Sequence, residues 1–332
     1  MKLLLAISEA PPLQSGFARI ADRLSSGFRK AGHEVVILST RETGRFSVGE
    51  MRPTGLLPRW PRLRRLLDGV DLAAVFGPTP TFTDALLPLL RSRRNRPRIV
   101  YTHVFDIDLP GLNPLCEIYN RLHRRLARLA DRVVVATPDY VSHLDRVVPG
   151  ERIRVIPWGI DPVPEEPSPS KADRFTVLHV GQLRRYKGGE SLLLAARQLP
   201  EIRFLMVGEG PDRDHLQDLV RRWQLANVEI RSDVSNAELS LLYREAHVVS
   251  LPSICRLEAF GLVLVEGMAH GCVPVASSLP GVRHVVDDVG FTHPPGDAEA
   301  LAHTLARLDR DREELEQYSR RARAHSLGFS WD

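Results

Sequence analysis

The chain reads as α/β, two doubly wound domains in tandem, and three observations predict it. Short β-rich runs alternate with helical patterns, as in a parallel sheet covered by crossover helices. The scheme occurs twice, on either side of a Pro-rich stretch, Pro162 to Asp173, that neither a helix nor a central strand would tolerate. The length of 332 residues is long for one core and comfortable for two.

In the first half the β-rich runs are Leu3 to Ser8, Glu34 to Ser39, Leu72 to Phe76, Ile99 to His103 and Arg132 to Ala136. In the second half they are Thr176 to Val180, Arg203 to Val207, Val228 to Ile230, His247 to Leu251 and Val273 to Ala276. Helices are expected at Glu190 to Gln198, Asp212 to Trp223 and Ala237 to Ala246. The domains are therefore expected at 1–161 and 174–332, with a linker at 162–173. Ligands of such sheets bind outside the carboxyl ends of the strands.

Composition is that of an ordinary globular protein, 43% hydrophobic and 26% charged. No apolar run approaches the ~18 residues of a spanning helix, and the opening MKLLLAIS lacks the core and cleavage site of a signal peptide. Cys116, Cys255 and Cys272 are unpaired in spacing and read as reduced core thiols, so a cytoplasmic location is expected. Charge is uneven. Residues 1–161 carry 25 Lys plus Arg against 16 Asp plus Glu, and residues 162–332 carry 20 against 25. The basic clusters are Arg59 to Arg65, Arg91 to Arg98 and the helical Arg121 to Arg132. They suit an anionic membrane surface or solvated helix faces. The two readings are balanced for the first two clusters, and the solvated face is favoured for the third. Nucleic acid is not expected, since no aromatic interleaving accompanies the arginines.

The most informative text is EAFGLVLVEGMAHG, Glu258 to Gly271. The apolar run before Pro252 reads as a strand end, and helical periodicity begins near Phe260. The amides of Phe260, Gly261 and Leu262 then open a helix at the positive end of its dipole, which suits a phosphate, and Gly261 permits close approach. Glu258 and Glu266 can accept hydrogen bonds from sugar hydroxyls. As a bare pair, solvated helix charges are the ordinary reading. Glu266, however, is embedded among Val263, Leu264, Val265 and Met268, where a charge requires a polar partner.

This segment resembles the E-x7-E signature of retaining glycosyltransferases of family 4, which have the GT-B fold of two Rossmann-like domains facing across a cleft. The resemblance runs along the whole chain. SEAPPLQSG resembles the family's opening loop, with Gly16 toward the donor phosphate, and IVYTHVFD places His103 where a histidine lies beside the donor sugar. TVLHVGQLRRYKGG aligns Lys187 with the lysine that neutralises the diphosphate. Gln182 stands where the family usually has an arginine, and Arg184 or Arg185 is the candidate replacement. FLMVGEGP puts Gly208 beside the nucleotide, and Ser232 to Val234 is expected near the base.

The resemblance implies transfer of a sugar from a UDP- or GDP-sugar to a sugar, lipid-linked or glycan acceptor, with retention, in glycolipid, capsule or exopolysaccharide synthesis. No metal and no cofactor beyond the donor is implied, and no DxD-type motif is evident. It further implies a helix after Phe329 to Asp332 that packs on the first domain. A non-catalytic nucleotide-sugar binder is the alternative, and a sugar epimerase or phosphorylase fits the motifs less well.

Overall fold

The computed structural model describes residues 1–13, 15–40, 63, 65–109, 111–163 and 171–331. They form two compact units, Met1–Pro157 and Trp158–Asp332. The division falls before Asp161 because residues 158–160 belong to the second unit. Ile160 N–H donates to the Phe329 carbonyl at 2.9 Å, and a Cβ on Gly159 would lie 2.5 Å from the Ser330 backbone. Most of the expected linker lies outside the described residues, as does most of the Arg59 to Arg65 cluster.

The first unit carries a six-stranded parallel sheet made of β1 (Lys2–Ile7), β2 (Glu34–Ser39), β3 (Leu72–Gly77), β4 (Arg98–His103), β5 (Arg132–Val135) and β6 (Ile153–Val155), in the order β2-β1-β3-β4-β5-β6. Five were expected. β6 is an exposed three-residue edge strand, too short for a periodic signal. The helices described with it include α1 (Gly16–Lys30), α2 (Thr83–Ser92), α3 (Asn113–Leu126) and α4 (Val141–Leu144).

The second sheet repeats the design with β7 (Thr176–Val180), β8 (Arg203–Val207), β9 (Val228–Arg231), β10 (Val248–Leu251), β11 (Val273–Ser277) and β12 (Phe291–His293), in the order β12-β11-β10-β7-β8-β9. β7, β10 and β11 are buried throughout, as strands covered on both faces must be. Helices α5 (Gly189–Gln198), α6 (Arg213–Arg222), α7 (Asn236–Glu245), α8 (Leu262–Ala269), α9 (Val282–Val286), α10 (Ala298–Arg310) and α11 (Arg312–Ser326) connect or follow them. Val177, Phe204, Val248 and Val275 face one core with Leu192 and Leu193 of α5, Leu216 of α6 and Leu301 and Leu305 of α10. Alternation sends Val249 to the opposite face, where it meets Gly267 of α8.

In each sheet the strand order reverses once, between β1 and β3 and between β7 and β10. At such a point the loops leaving adjacent strands diverge and leave room at the carboxyl edge.

The seating of α8 depends on Gly267. A Cβ there would stand 2.5 to 3.0 Å from the side-chain atoms of Val249. Gly267→Ala is therefore expected to destabilise the protein by about 1–3 kcal/mol through overpacking, despite alanine's better helix propensity. A denaturant midpoint that rises instead would show that propensity wins.

Candidate functional site

The second unit's candidate site is built on the loops that follow β7 and β10. The loop after β7 leaves at Gly181 and is tied to the loop after β8, where Leu183 N–H donates to the Glu209 carbonyl at 2.8 Å. It tightens into a single 3₁₀ turn over Arg185–Lys187 and passes to α5 through Gly188 at φ 73°. No other residue fits there, because a Cβ would lie 1.9 Å from the Pro252 carbonyl oxygen. That contact brings the loop after β10 alongside, and Ile254 N–H donates to the Tyr186 carbonyl at 2.7 Å.

The two loops thereby join Lys187 to Glu258. The Lys187 ammonium donates a hydrogen bond to Glu258 Oε2, and the side chains are only 17% and 10% exposed. Ser253 Oγ, fully buried, donates to the same oxygen at 3.3 Å. The ammonium also lies 5.3 Å from the centroid of the Tyr186 ring. Burial lowers the lysine's affinity for its proton, but the Glu258 carboxylate overrides this and raises its pKa above the ordinary value. The site thus holds a fixed positive charge against a fixed negative one.

Arg184 lies in the β7 loop, where its Nε donates to Gln182 Oε1 at 2.9 Å. Gln182, the departure from the family pattern, therefore holds the guanidinium of its neighbour. Gly208, at φ 150°, ends β8 so close to the β7 loop that a Cβ would lie 1.9 Å from the Gly181 carbonyl oxygen. Val234 is half-buried in the bend between β9 and α7. Lys187, Arg184, Gly208, Val234 and Glu258 all follow the carboxyl ends of strands of one sheet.

The helix of the Glu258 to Gly271 segment begins later than expected. Its first residue is Leu262, with Gly261 preceding it in the left-handed region at φ 86°. The first-turn donors are accordingly those of Leu262 and Val263, and the Leu264 N–H is turned to the Gly261 carbonyl at 2.9 Å. Phe260 lies before the helix, and its buried ring packs edge-on against Phe329 with centroids 5.8 Å apart. Glu266 has the polar partner its apolar surroundings demand: the Tyr243 hydroxyl donates to it at 3.0 Å.

In the first unit, Gly16 is exposed at the start of α1, where Ser15 Oγ accepts from the Ala18 N–H at 3.1 Å. His103, at the end of β4, is 1% exposed and belongs to a buried polar chain not foreseen in the sequence. Its Nε2 lies 3.3 Å from Asp106 Oδ1, and its Nδ1 lies 3.4 Å from the Tyr101 hydroxyl. Tyr101 in turn meets His123 Nε2 at 2.7 Å, and His123 Nδ1 meets Asp84 at 2.6 Å. Arg124 and His143 also contact Asp106. Burial lowers the pKa of His103. For Asp106, burial raises the pKa, but contacts from His103, His143 and Arg124 hold it below the ordinary carboxylate range. The spacing of His103 and Asp106 in THVFD was the available signal.

Comparison with known proteins identifies the family. The description "Glycosyl transferases group 1" matches residues 164–325, and "Glycosyltransferase Family 4" matches residues 14–163. The chain belongs to the group 1 and family 4 glycosyltransferases. D-rhamnosyltransferase WbpZ of Pseudomonas aeruginosa is 30% identical to this glycosyltransferase family member over 244 residues, 69% of this chain. The match spans 62% of that relative's length. Sucrose-phosphate synthase from Thermosynechococcus elongatus shares the fold with a TM-score of 0.81 at 22% identity, over 99% of this chain and 95% of that one. Anabaena Alr3699/HepE in complex with UDP-glucose does so with 0.75 at 20%, over 99% and 96%. The architecture is thus the GT-B type, as the sequence predicts.

A buried histidine beside this candidate site gives a pH signature. His179 on β7 is fully buried, its Nδ1–H donates to the Ser250 carbonyl at 3.0 Å, and burial lowers its pKa to about 4. Below its unfolded value near 6.5 the unfolded chain binds the extra proton and the native one does not. Its contribution is complete above about pH 6.5 and is lost as pH falls toward 4, by about 3 kcal/mol. His179→Gln should flatten the pH dependence of denaturant unfolding in that window. An unchanged slope would assign it to other groups such as His247, whose pKa burial also lowers to about 4.

Proposed function

We propose that the protein transfers a glycosyl group from a UDP- or GDP-sugar to an acceptor hydroxyl with retention at the anomeric carbon, in the synthesis of a glycolipid, capsule or exopolysaccharide. The observation that carries this reading is the Lys187–Glu258 pair, held at the carboxyl edge where the second sheet reverses order. Membership of the glycosyltransferase family and the UDP-glucose bound by Alr3699/HepE support it.

In this reading the bond from the anomeric carbon to the donor phosphate breaks, and the acceptor oxygen forms its bond on the same face. The acceptor's proton passes to the departing phosphate oxygen, so no separate base is needed. Negative charge grows on the leaving diphosphate, and Lys187, Arg184 and the first-turn amides of α8 are the groups positioned to meet it, with protein cations filling the role a metal ion fills elsewhere. Glu258 orients the donor sugar and keeps Lys187 in place before the donor arrives. Glu266 accepts hydrogen bonds from the ribose diol, steadied by Tyr243. Gly208 and Val234 border the nucleotide.

Release of nucleoside diphosphate from UDP- and GDP-sugars, measured with a panel of sugar and lipid-linked acceptors, tests the reading. Lys187→Met should lower turnover on the order of 10²–10³-fold, and Lys187→Arg should restore part of it if charge is what matters. Thermal melts of each variant separate lost chemistry from lost fold. Nucleotide binding without turnover on any acceptor would instead mark a binding protein.

Arg184→Ala should raise the donor KM by about tenfold or more, the scale of a hydrogen bond to a charged group. Unchanged donor affinity would show that Arg184 does not replace the family's arginine.

A further inference from the structure

The two oxygens of the Glu258 carboxylate are unequally engaged. Lys187 and the buried Ser253 hydroxyl both donate to Oε2, and no hydrogen-bond donor among the described residues meets Oε1. The carboxylate has little room to withdraw, because its side chain is largely buried and the Glu258 N–H is tied to the Cys255 carbonyl at 3.2 Å. Lys187 is confined as well. It ends the 3₁₀ turn whose exit, Gly188, is pressed on the Pro252 carbonyl.

On the proposed reading, the donor's diphosphate approaches this same ammonium. One cation then faces two anions in a site that water reaches poorly, where like charges repel more strongly than in bulk. The sugar decides whether that is tolerable. An attached sugar brings hydroxyls that donate to Oε1 and relieve the carboxylate's charge. A nucleoside diphosphate brings none, and its terminal phosphate ionises once more, at about pH 6, where a sugar-linked phosphate cannot. Glu258 therefore meets the product with an unrelieved negative charge, and Lys187 is the nearest group to return to.

We propose that Glu258 discriminates the intact donor from the nucleoside diphosphate product, sharing Lys187 with the diphosphate while the sugar's hydroxyls hold Oε1 and reclaiming Lys187 once the sugar has left. The inference rests on the nucleotide-sugar reading of the site, and gives the pair a second task, the expulsion of product. Removal of the charge should therefore favour product over donor. A carboxylate that merely braced the two loops would change both affinities in the same direction.

The test is isothermal titration of the full chain and of Glu258→Gln with UDP, GDP, UDP-glucose and GDP-mannose. For the base that binds, Glu258→Gln should bind the nucleoside diphosphate about tenfold more tightly and the sugar-bearing form about tenfold more weakly. Its melting midpoint should be lower without nucleotide and should rise further on adding the diphosphate than that of the unaltered chain, since the diphosphate supplies the missing counter-charge. Glu258→Asp, which keeps the charge but draws it back from Lys187, should tighten diphosphate binding by a smaller factor, and stands as the test if the glutamine variant does not fold. The proposal is overturned, with the reading intact, if the unaltered chain binds these nucleotides and the folded variants bind the nucleoside diphosphate equally or more weakly. Failure of the unaltered chain to bind either UDP or GDP would overturn the reading itself, and the proposal with it.

Discussion

The ion pair between Lys187 and Glu258 is the contact on which the second unit's candidate site depends. Its partners sit on loops that leave β7 and β10, which are neighbours in the sheet although a long stretch of chain separates them. Neither charge would be tolerable there alone. A partly buried ammonium or carboxylate without a counter-charge carries a desolvation cost that packing does not return. The pair therefore requires the loops to stay in register, and the register rests on backbone contact: Gly188 against the Pro252 carbonyl, and Ile254 donating to Tyr186. A side chain at residue 188 would part the loops and leave both charges half-solvated.

How much of this could be read from the sequence follows from the range of the interactions. Five strands of each sheet were legible because runs such as TVLHV and VVSL are short and mostly apolar, as strands covered on both faces are, whereas the three-residue β6 and β12 carry no such run. Lys187 and Glu258 were each singled out by local text. Their pairing was not, because it depends on β10 lying beside β7, and strand order is a non-local property. The start of α8 was misplaced for a local reason. Apolar periodicity runs continuously through Phe260, and nothing in it signals that Gly261 takes a left-handed conformation and restarts the helix at Leu262. The ring of Phe260 is thereby released to pack on Phe329.

The first unit shows the complementary limit. The resemblance singled out His103 as a residue beside the donor sugar, and the structure makes it one link in a buried chain from Asp84 through His123 and Tyr101 to Asp106. The links come from α2, α3, β4 and the segment after β4, so no window of sequence contains them. A buried carboxylate is expensive unless several donors converge on it, and Asp106 gathers contacts from His103, Arg124 and His143. Such a chain specifies structure more than it adds stability, since each link holds only when its neighbours are placed.

That specification explains why α3 turns its polar side inward, burying Cys116, Asn120 and His123 while Leu115, Ile118 and Leu122 stay exposed. Apolar periodicity states that a helix has two unlike faces, but it does not state which one turns inward. For α3 the choice falls to Asn120 and His123, whose hydrogen bonds to the Ile107 backbone and to Asp84 have definite directions, whereas leucine contacts can be made at many rotations. Turning the leucines inward would break those bonds and leave the buried Ile107 N–H and carbonyl without their partner, at a cost of about 1–3 kcal/mol for each group. The polar network thus fixes the rotation of α3, and the same constraint that builds the interior of the first unit presents Leu115, Ile118 and Leu122 at its surface.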